Sequence, residues 1–480
     1  MLSNVNDNSK PKDMNTRKEH DFIGEMEIPD DKYYGIQTLR AMENFFITGT
    51  PLNTEPFMVK ALAYVKKSAA CANADLGVFD REIADAICYA CDEILDGKYH
   101  DQFLTDLIQG GAGTSVNMNA NEVIANIALE KMGYKKGEYK YCHPNNHVNA
   151  SQSTNDAYPT AFRIALLKRL DEYKGSLAAL ASSFRRKGEE FKDVLKMGRT
   201  QLQDAVPMSL GSEFTGWGNT IREELSRVDS AKNLIREINM GATAIGTRIN
   251  APEAYPELVT KYLVKFTGSP LFLADDLIEA TSDTGAYVQL SGVLKRTAVK
   301  LSKIANDLRL LSSGPRTGFN EINLPQIQPG SSIMPGKVNP VIPEVVNQVA
   351  FYVIGADTTI TMAAEAGQLQ LNVMEPVISY SLFNSILFLS RACETLRKKA
   401  VDGITANPEH TAAMVMNSVG IVTLLNPIIG YEESSSIAKE ALATGKSIHD
   451  IAVVDRKLIT QAKWDELFSI DNLIKPRFIK

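Results

Sequence analysis

Gly330-Ser331-Ser332-Ile333-Met334-Pro335-Gly336-Lys337-Val338-Asn339-Pro340 interrupts a chain whose flanks on both sides carry long helical patterns. Two glycines, two prolines and two serines fall within its eleven residues. Proline removes a backbone donor and glycine costs conformational entropy, so this run cannot stay helical. It presents a pair of hydroxyls, one ammonium and one amide close together, a donor set suited to carboxylates. Irregular polar segments held by a regular scaffold are where binding and catalytic groups concentrate.

Outward from this break the helical patterns are long. One runs from about Glu279 to Ser312 and ends at Gly314-Pro315-Arg316. Another spans Glu344 to about Leu371, and after Met374-Glu375-Pro376 a third continues from Ile378 to Val401. Upstream, Pro159 to about Lys187 and the run from Pro207 to about Asn239 read the same way. Roughly 20 to 40 residues is well above the usual helix length, and few prolines intervene, which points to a bundle. Apolar residues cover more than one face of these patterns, so packing against other chains is expected. Beyond Pro408 the patterns shorten (Thr411–Val419, Glu433–Thr444, Ser447–Val454, Thr460–Phe468), as in a small helical domain. Near the start, Phe22 to Pro29 alternates like a strand, and Pro56 to about Leu95 is Ala-rich and helical with a break at Gly77.

With 480 residues the chain has room for two or three domains around a large core. Its 44% hydrophobic and 22% charged content is that of a soluble globular protein. A net charge of −6 with no polybasic run argues against a nucleic-acid partner. No apolar run reaches the roughly 20 residues that cross a bilayer. Residues 1–20 are polar and mixed in charge, lack the apolar core of a secretory signal, and read as a disordered tail. The five cysteines are odd in number and scattered, which fits a reducing cytoplasm rather than a disulfide framework. Cys88 and Cys91 form a C-x-x-C, but no second pair or nearby histidine completes a metal site. Their place in the stripe Ile83, Ile87, Cys91, Ile94 reads as packing.

Three further polar interruptions stand out. Gln109-Gly110-Gly111-Ala112-Gly113-Thr114-Ser115 runs into a helical stretch, as an anion cradle or as an ordinary helix start. It lacks the Lys-Ser/Thr ending of a P-loop. His143 to Asn149 leads into Ser151-Gln152-Ser153-Thr154-Asn155-Asp156, directly before a strongly apolar helix. Polar groups set against a core need partners, and a ligand supplies some. Met197-Gly198-Arg199-Thr200-Gln201 opens the third break. Arg40, near the start, reads on its own as a surface ion pair rather than a carboxylate contact.

Taken together, the Gly330 run and the segments Gly113-Thr114-Ser115, Ser151 to Asp156 and Gly198-Arg199-Thr200-Gln201 resemble, in order, the motif regions of the aspartase/fumarase superfamily. The resemblance extends from about Phe22 to Phe468. It implies a mainly α, three-domain fold: an N-terminal domain over 21–152, a central bundle of five long helices over 153–406, and a small helical C-terminal domain over 407–480. It further implies a homotetramer with a shared helical core, each active site taking residues from three chains. Members eliminate a group β to a carboxylate and most release fumarate. Ser331 is then the general base for the Cβ proton, Lys337 and Asn339 bind a carboxylate, and Ser332 adds a donor. Thr114, Ser153, Thr154, Asn155, Thr200 and Gln201 complete the substrate contacts. No metal or organic cofactor is required for the chemistry, with a divalent metal as a possible activator.

Within the superfamily, Gln201 stands where malate-dehydrating members have histidine. An amide cannot ionise as a general acid, a loss that matters more for hydroxide than for ammonia leaving from a protonated amine. Ser153-Thr154-Asn155, Tyr33 to Arg40 and Thr361 to Gln368 likewise resemble the aspartate-deaminating branch. The expected partners are L-aspartate, fumarate and ammonium, with neither nucleic acid nor membrane. The alternatives are fumarate hydration or a catalytically silent structural member. Glu344 is expected to orient Lys337 by an ion pair, and His143 and His147 to have surface or structural roles.

Overall fold

A computed structural model describes residues 15–475. They divide into two compact units. The first comprises the described residues up to Glu172, with Val228–Leu294 and Gly355–Leu387; the second comprises Tyr173–Arg227, Lys295–Ile354 and the described residues from Phe388 onward.

The first unit opens with an antiparallel pair, β1 (Thr16–His20) and β2 (Glu25–Pro29), with Thr16 opposite Pro29 and His20 opposite Glu25. The alternation before Pro29 is a strand as expected. Its partner corrects the reading of 1–20 as a disordered tail: residues 16–20 are ordered, and residues 1–14 lie outside the described residues. No apolar pattern marks β1. It is fixed by side chains instead, since Arg17 donates to the carbonyls of Pro29, Lys32 and Tyr34 and pairs with buried Glu19 at 2.8 Å.

Next comes α1 (Ile36–Asn44), whose orphan N–H groups find an unusual partner. The fully buried Glu122 carboxylate, from α4 (Thr114–Lys131), accepts from the N–H groups of Gly35, Gln37 and Thr38 and from the Thr38 hydroxyl. Arg40 forms a two-pronged ion pair with Asp21, at 2.7 and 3.0 Å. Between these lie α2 (Pro56–Asp75) and α3 (Arg81–Leu95), joined through Gly77 in the left-handed region. Alanines 61, 63, 69, 70 and 72 are buried, and small side chains let α2 approach its neighbours closely. Cys91 lies wholly in the core, and burial pushes its thiol well up.

Among the described residues five helices have 25 residues or more: α5 (Thr154–Glu190), α6 (Leu210–Ile235), α9 (Gly285–Leu311), α10 (Val341–Glu365) and α11 (Glu375–Lys399). Between α6 and α9 lie α7 (Tyr255–Thr267) and the single turn α8 (Glu279–Ser282). Pro159 lies inside α5, and the Asn155 carbonyl that it leaves without a helical donor accepts from the Asn239 amide instead (3.0 Å). In the first unit Phe162 packs 4.8 Å from Tyr287 and 5.3 Å from Phe383, so α5, α9 and α11 share one aromatic core. In the second unit Phe184, Phe214 and Trp217 join α5 to α6 at 4.8–6.1 Å. There the hairpin β3 (Leu195–Thr200) and β4 (Gln203–Ser209) shares a core with the C-terminal helices through Leu195, Met197, Val415, Ile437, Ile451 and Trp464. Among the described residues no single helix is long and apolar enough to cross a membrane.

Candidate active site

The Gly330 run is a loop closed on itself, in the second unit. Gly330 N–H donates to the Lys337 carbonyl (2.8 Å), and the Asn339 amide donates back to the Gly330 carbonyl (2.5 Å). A Cβ on Gly330 would lie 2.5 Å from the Lys337 oxygen and 2.7 Å from the Asn339 nitrogen, so glycine is required for this closure. The Ser331 hydroxyl turns inward. Its Oγ accepts from the N–H groups of Met334 (2.9 Å) and Ile333 (3.2 Å). Two backbone dipoles converging on one oxygen lower the cost of negative charge there, as an oxyanion hole does. Ser332 and Lys337 are exposed, Asn339 is half-buried, and Ile333 is 83% exposed. Asn339 spends one N–H on the loop and has a second to give. Lys337 and Asn339 line a cleft of about 520 Å³ together with Arg309, Asn320, Asn323 and Glu344, a size suited to a small molecule. No ion pair joins Glu344 to Lys337 among the described residues, contrary to expectation. A solvated ammonium on an exposed loop gains little from holding one carboxylate.

Thr200 and Gln201 sit at the tip of the β3–β4 hairpin. Thr200 pairs with Gln203 across a two-residue turn, and Gln201 (φ 55°) and Leu202 (φ 63°) are both left-handed. Such turns normally use Asn-Gly, and each non-glycine residue there costs about 1–2 kcal/mol. Local strain of this kind persists where a side chain must be held at a given place. The base of the tip is anchored by Arg199, which pairs with Glu321 at 2.5 Å and stacks over Phe319. No hydrogen bond or ion pair joins Thr200 or Gln201 to the Gly330 loop among the described residues.

Thr114, Ser153, Thr154 and Asn155 belong to the first unit, at the starts of α4 and α5. Residues 111–113 are three successive left-handed residues, which turn the chain into α4. A Cβ on Gly113 would lie 2.5 Å from the Tyr158 ring, so its absence lets α4 begin against α5. Thr114 is exposed and bonds the Gly111 carbonyl (2.8 Å). One turn on, Asn117 donates to Thr154 Oγ1 (3.1 Å). The start of α5 is locked by Asp156, which is fully buried and accepts from the N–H groups of Ser153, Gly241 and Thr243 at 2.9–3.0 Å. Burial pushes its carboxyl up to about 6. Asn155 donates to the Ala244 carbonyl (2.7 Å), leaving its second N–H available.

His143 and His147 are structural: His147 Nδ1 accepts from His143 N–H (2.9 Å), and His143 Nδ1 from Asn145 N–H (3.0 Å). Sequence reading missed Lys66 and gave Asn117, Asn149 and Asp156 no role of their own within the polar stretches. Lys66 left one signal. It shares a face of α2 with Val59, Leu62, Ala69, Ala70 and Asn73, all buried, and a lysine there needs a reason. Burial pushes its ammonium down to about 7.

The family model described as Lyase matches residues 24–355, and one described as Fumarase C C-terminus matches residues 421–475. The chain is 60% identical to the aspartate ammonia-lyase of Helicobacter pylori over 464 residues, covering 97% of this chain and 99% of that protein. To the aspartate ammonia-lyase of Escherichia coli it is 56% identical, over 97% of each. The chain belongs to the aspartase/fumarase superfamily. Solved structures of similar proteins share its mainly α-helical fold. The fumarate lyase:delta crystallin from Brucella melitensis, bound to cobalt, superposes with a TM-score of 0.93 at 53% identity, over 95% of this chain and 99% of that one. For the class II fumarase of Schistosoma mansoni the TM-score is 0.91 at 34% identity, over 96% and 100%. Among the described residues of this superfamily member, no group of three or more His, Cys, Asp or Glu is arranged to hold a metal ion.

Proposed function

We propose that this protein is an aspartate ammonia-lyase, which removes ammonia from L-aspartate by reversible anti elimination to give fumarate and ammonium. The observation that carries the chemistry is the Ser331 hydroxyl held against two backbone N–H groups. As the alkoxide, Ser331 Oγ takes the proton from Cβ. The electron pair left behind spreads into the neighbouring carboxylate as a dianionic aci-carboxylate, held by preorganised donors from Lys337, Asn339 and Ser332. That pair then forms the double bond as the C–N bond breaks, and nitrogen leaves with its bonding electrons as ammonia; the proton taken by Ser331 is then given up, restoring the alkoxide and making the ammonia ammonium. Because the amine is protonated before it leaves, no acid is needed at Gln201. Thr114, Ser153, Thr154, Asn155 and Thr200 hold the substrate's carboxylates and amino group. The step as drawn uses neither metal nor organic cofactor, and a divalent cation enters only as an activator.

High identity to aspartate ammonia-lyases over nearly the whole chain supports the choice of substrate. The three-domain division at 152/153 and 406/407, the five-helix bundle and the homotetramer with sites shared by three chains are part of the same reading. Five long helices between residues 154 and 399 support the bundle. Exposed Phe351, Met362 and Leu369 support burial between copies. Five free cysteines support a cytoplasmic location. Running the reaction backwards in D₂O tests the proposal. Fumarate and ammonium should yield L-aspartate carrying one deuterium on Cβ, on a single face. Absence of aspartate, or deuterium on both faces, would overturn it.

A further inference from the structure

Behind Thr154 runs a buried chain of amides that ends in a cation. Lys66 is 0% exposed and forms no ion pair among the described residues. Its Nζ donates to Asn149 Oδ1 (2.9 Å) and Gln152 Oε1 (2.8 Å). Asn149 Oδ1 also accepts from Asn117 Nδ2 (3.1 Å) and Asn121 Nδ2 (3.2 Å). The second N–H of Asn117 donates to Thr154 Oγ1 (3.1 Å), and Thr154 itself is buried. All these residues lie in the first unit.

The direction of this chain is fixed by its one member that cannot be turned round. An amide flips between donor and acceptor, whereas Lys66 Nζ faces two amide oxygens and, as ammonium or as amine, has the N–H groups to fill both. Lys66 therefore makes Asn149 present its oxygen. That oxygen in turn makes Asn117 and Asn121 present their nitrogens. Asn117, its oxygen turned away, donates to Thr154, and the Thr154 hydroxyl, with a lone pair already occupied, has its proton free to give. The arrangement is costly. The side-chain oxygens of Asn117 and Asn121 are buried without a partner, and a cation is among the most expensive groups to bury. A fold needing only stability would fill this space with apolar side chains. A site that must receive a carboxylate gains a fixed donor and a positive charge behind it.

We propose that Lys66, acting through Asn149 and Asn117, positions Thr154 as an obligate hydrogen-bond donor to a substrate carboxylate. The proposal rests on the reading of Thr154 as a substrate contact, and a double-mutant cycle separates the two. Asn117→Asp is close in shape but presents acceptors, so the Thr154 proton turns inward. In the intact protein, Thr154→Val and Asn117→Asp should each raise KM for L-aspartate about tenfold or more, with melting temperatures close to wild type. The double variant should stay within about threefold of the worse single one. Lys66→Met, which keeps the apolar stem, should couple to Thr154→Val in the same way. Effects that multiply, or an Asn117→Asp enzyme with wild-type KM, overturn the positioning chain while leaving Thr154 as a contact. Unchanged KM in Thr154→Val overturns both. Wild-type protein that forms no fumarate from L-aspartate fails the activity itself before any variant is made. Should Asn117→Asp fail to fold, Asn117→Ser removes the same donors without a charge and takes its place in the cycle. A merely structural role would lower the melting temperature and multiply with Thr154→Val.

Discussion

Replacing Ser331 by alanine removes one oxygen from an exposed loop, and the structure says what that oxygen is worth. Its two N–H partners, at 2.9 and 3.2 Å, come from the backbone of Met334 and Ile333 and not from any side chain that holds a ligand. A hydrogen bond to a charged oxygen contributes about 1.5–3 kcal/mol, so the pair stabilises the alkoxide by roughly 3–6 kcal/mol. That lowers the cost of ionising the hydroxyl relative to a free one. Loss of a positioned base costs typically about 10²–10⁴ in rate. Ser331→Ala should therefore lower kcat by at least about a hundredfold, while KM for L-aspartate moves by no more than about threefold. The loop is open to solvent, so water can satisfy the two released N–H groups and the melting temperature should not change. Initial rates followed by fumarate absorbance read the first effect, and a thermal melt reads the second. A variant that keeps more than about a tenth of the wild-type kcat would remove Ser331 from the role of base.

Gly330→Ala drives a Cβ to 2.5 Å from the Lys337 carbonyl. It should open the loop and reduce kcat/KM by about a hundredfold or more, and near-normal kinetics would show that the closed loop is dispensable. Inactive Ser331→Ala and inactive Thr200→Ala chains, refolded together, should regain activity that neither shows alone; a silent mixture would count against sites shared between chains. Burial pushes the Glu122 carboxyl up from 4.5 to about 7, against the Thr38 hydroxyl and the backbone N–H groups that favour its charged form and with the Glu19 charge adding to the rise. The folded chain thus holds this proton more tightly than the unfolded chain. The resulting stability is complete below about pH 4.5 and is lost as pH rises through about 7, on the order of ~3 kcal/mol. Chemical denaturation of wild type and Glu122→Gln across that range should show the wild-type advantage shrinking as pH rises, and a constant difference would contradict this.

The Gly330 loop was legible in the sequence because its glycines and prolines forbid a helix where helices surround it. The long helices were legible for the complementary reason, an apolar pattern sustained over many turns with few breaks. β1 was not. Thr16 to His20 carry no apolar alternation, and the strand depends on Arg17 reaching carbonyls as much as 17 residues away in sequence. The hairpin at 195–209 showed only as a break, because Gln201 and Leu202 occupy turn positions that usually announce themselves as Asn-Gly. Deeper in the site the difficulty is general. Lys66, Asn117 and Asp156 act through partners brought to them by the fold, and a lysine in an Ala-rich helix looks the same in sequence whether it meets water or an asparagine. Asn339 and Asn155 were expected as substrate contacts, but their structural bonds were not legible: Asn339 gives one N–H to close its own loop, and Asn155 gives one to the distant Ala244 carbonyl. Lys337 was read with a partner, Glu344, that the fold leaves in the same cleft but unpaired with it.

Fumarate absorbs in the ultraviolet, and neither L-aspartate nor L-malate carries its conjugated double bond. Purified protein should therefore raise the absorbance when mixed with L-aspartate, with one ammonium released for each fumarate formed, and leave it unchanged with L-malate. Fumarate from L-malate alone, or no fumarate from either, would contradict the assignment of this chain as an aspartate ammonia-lyase.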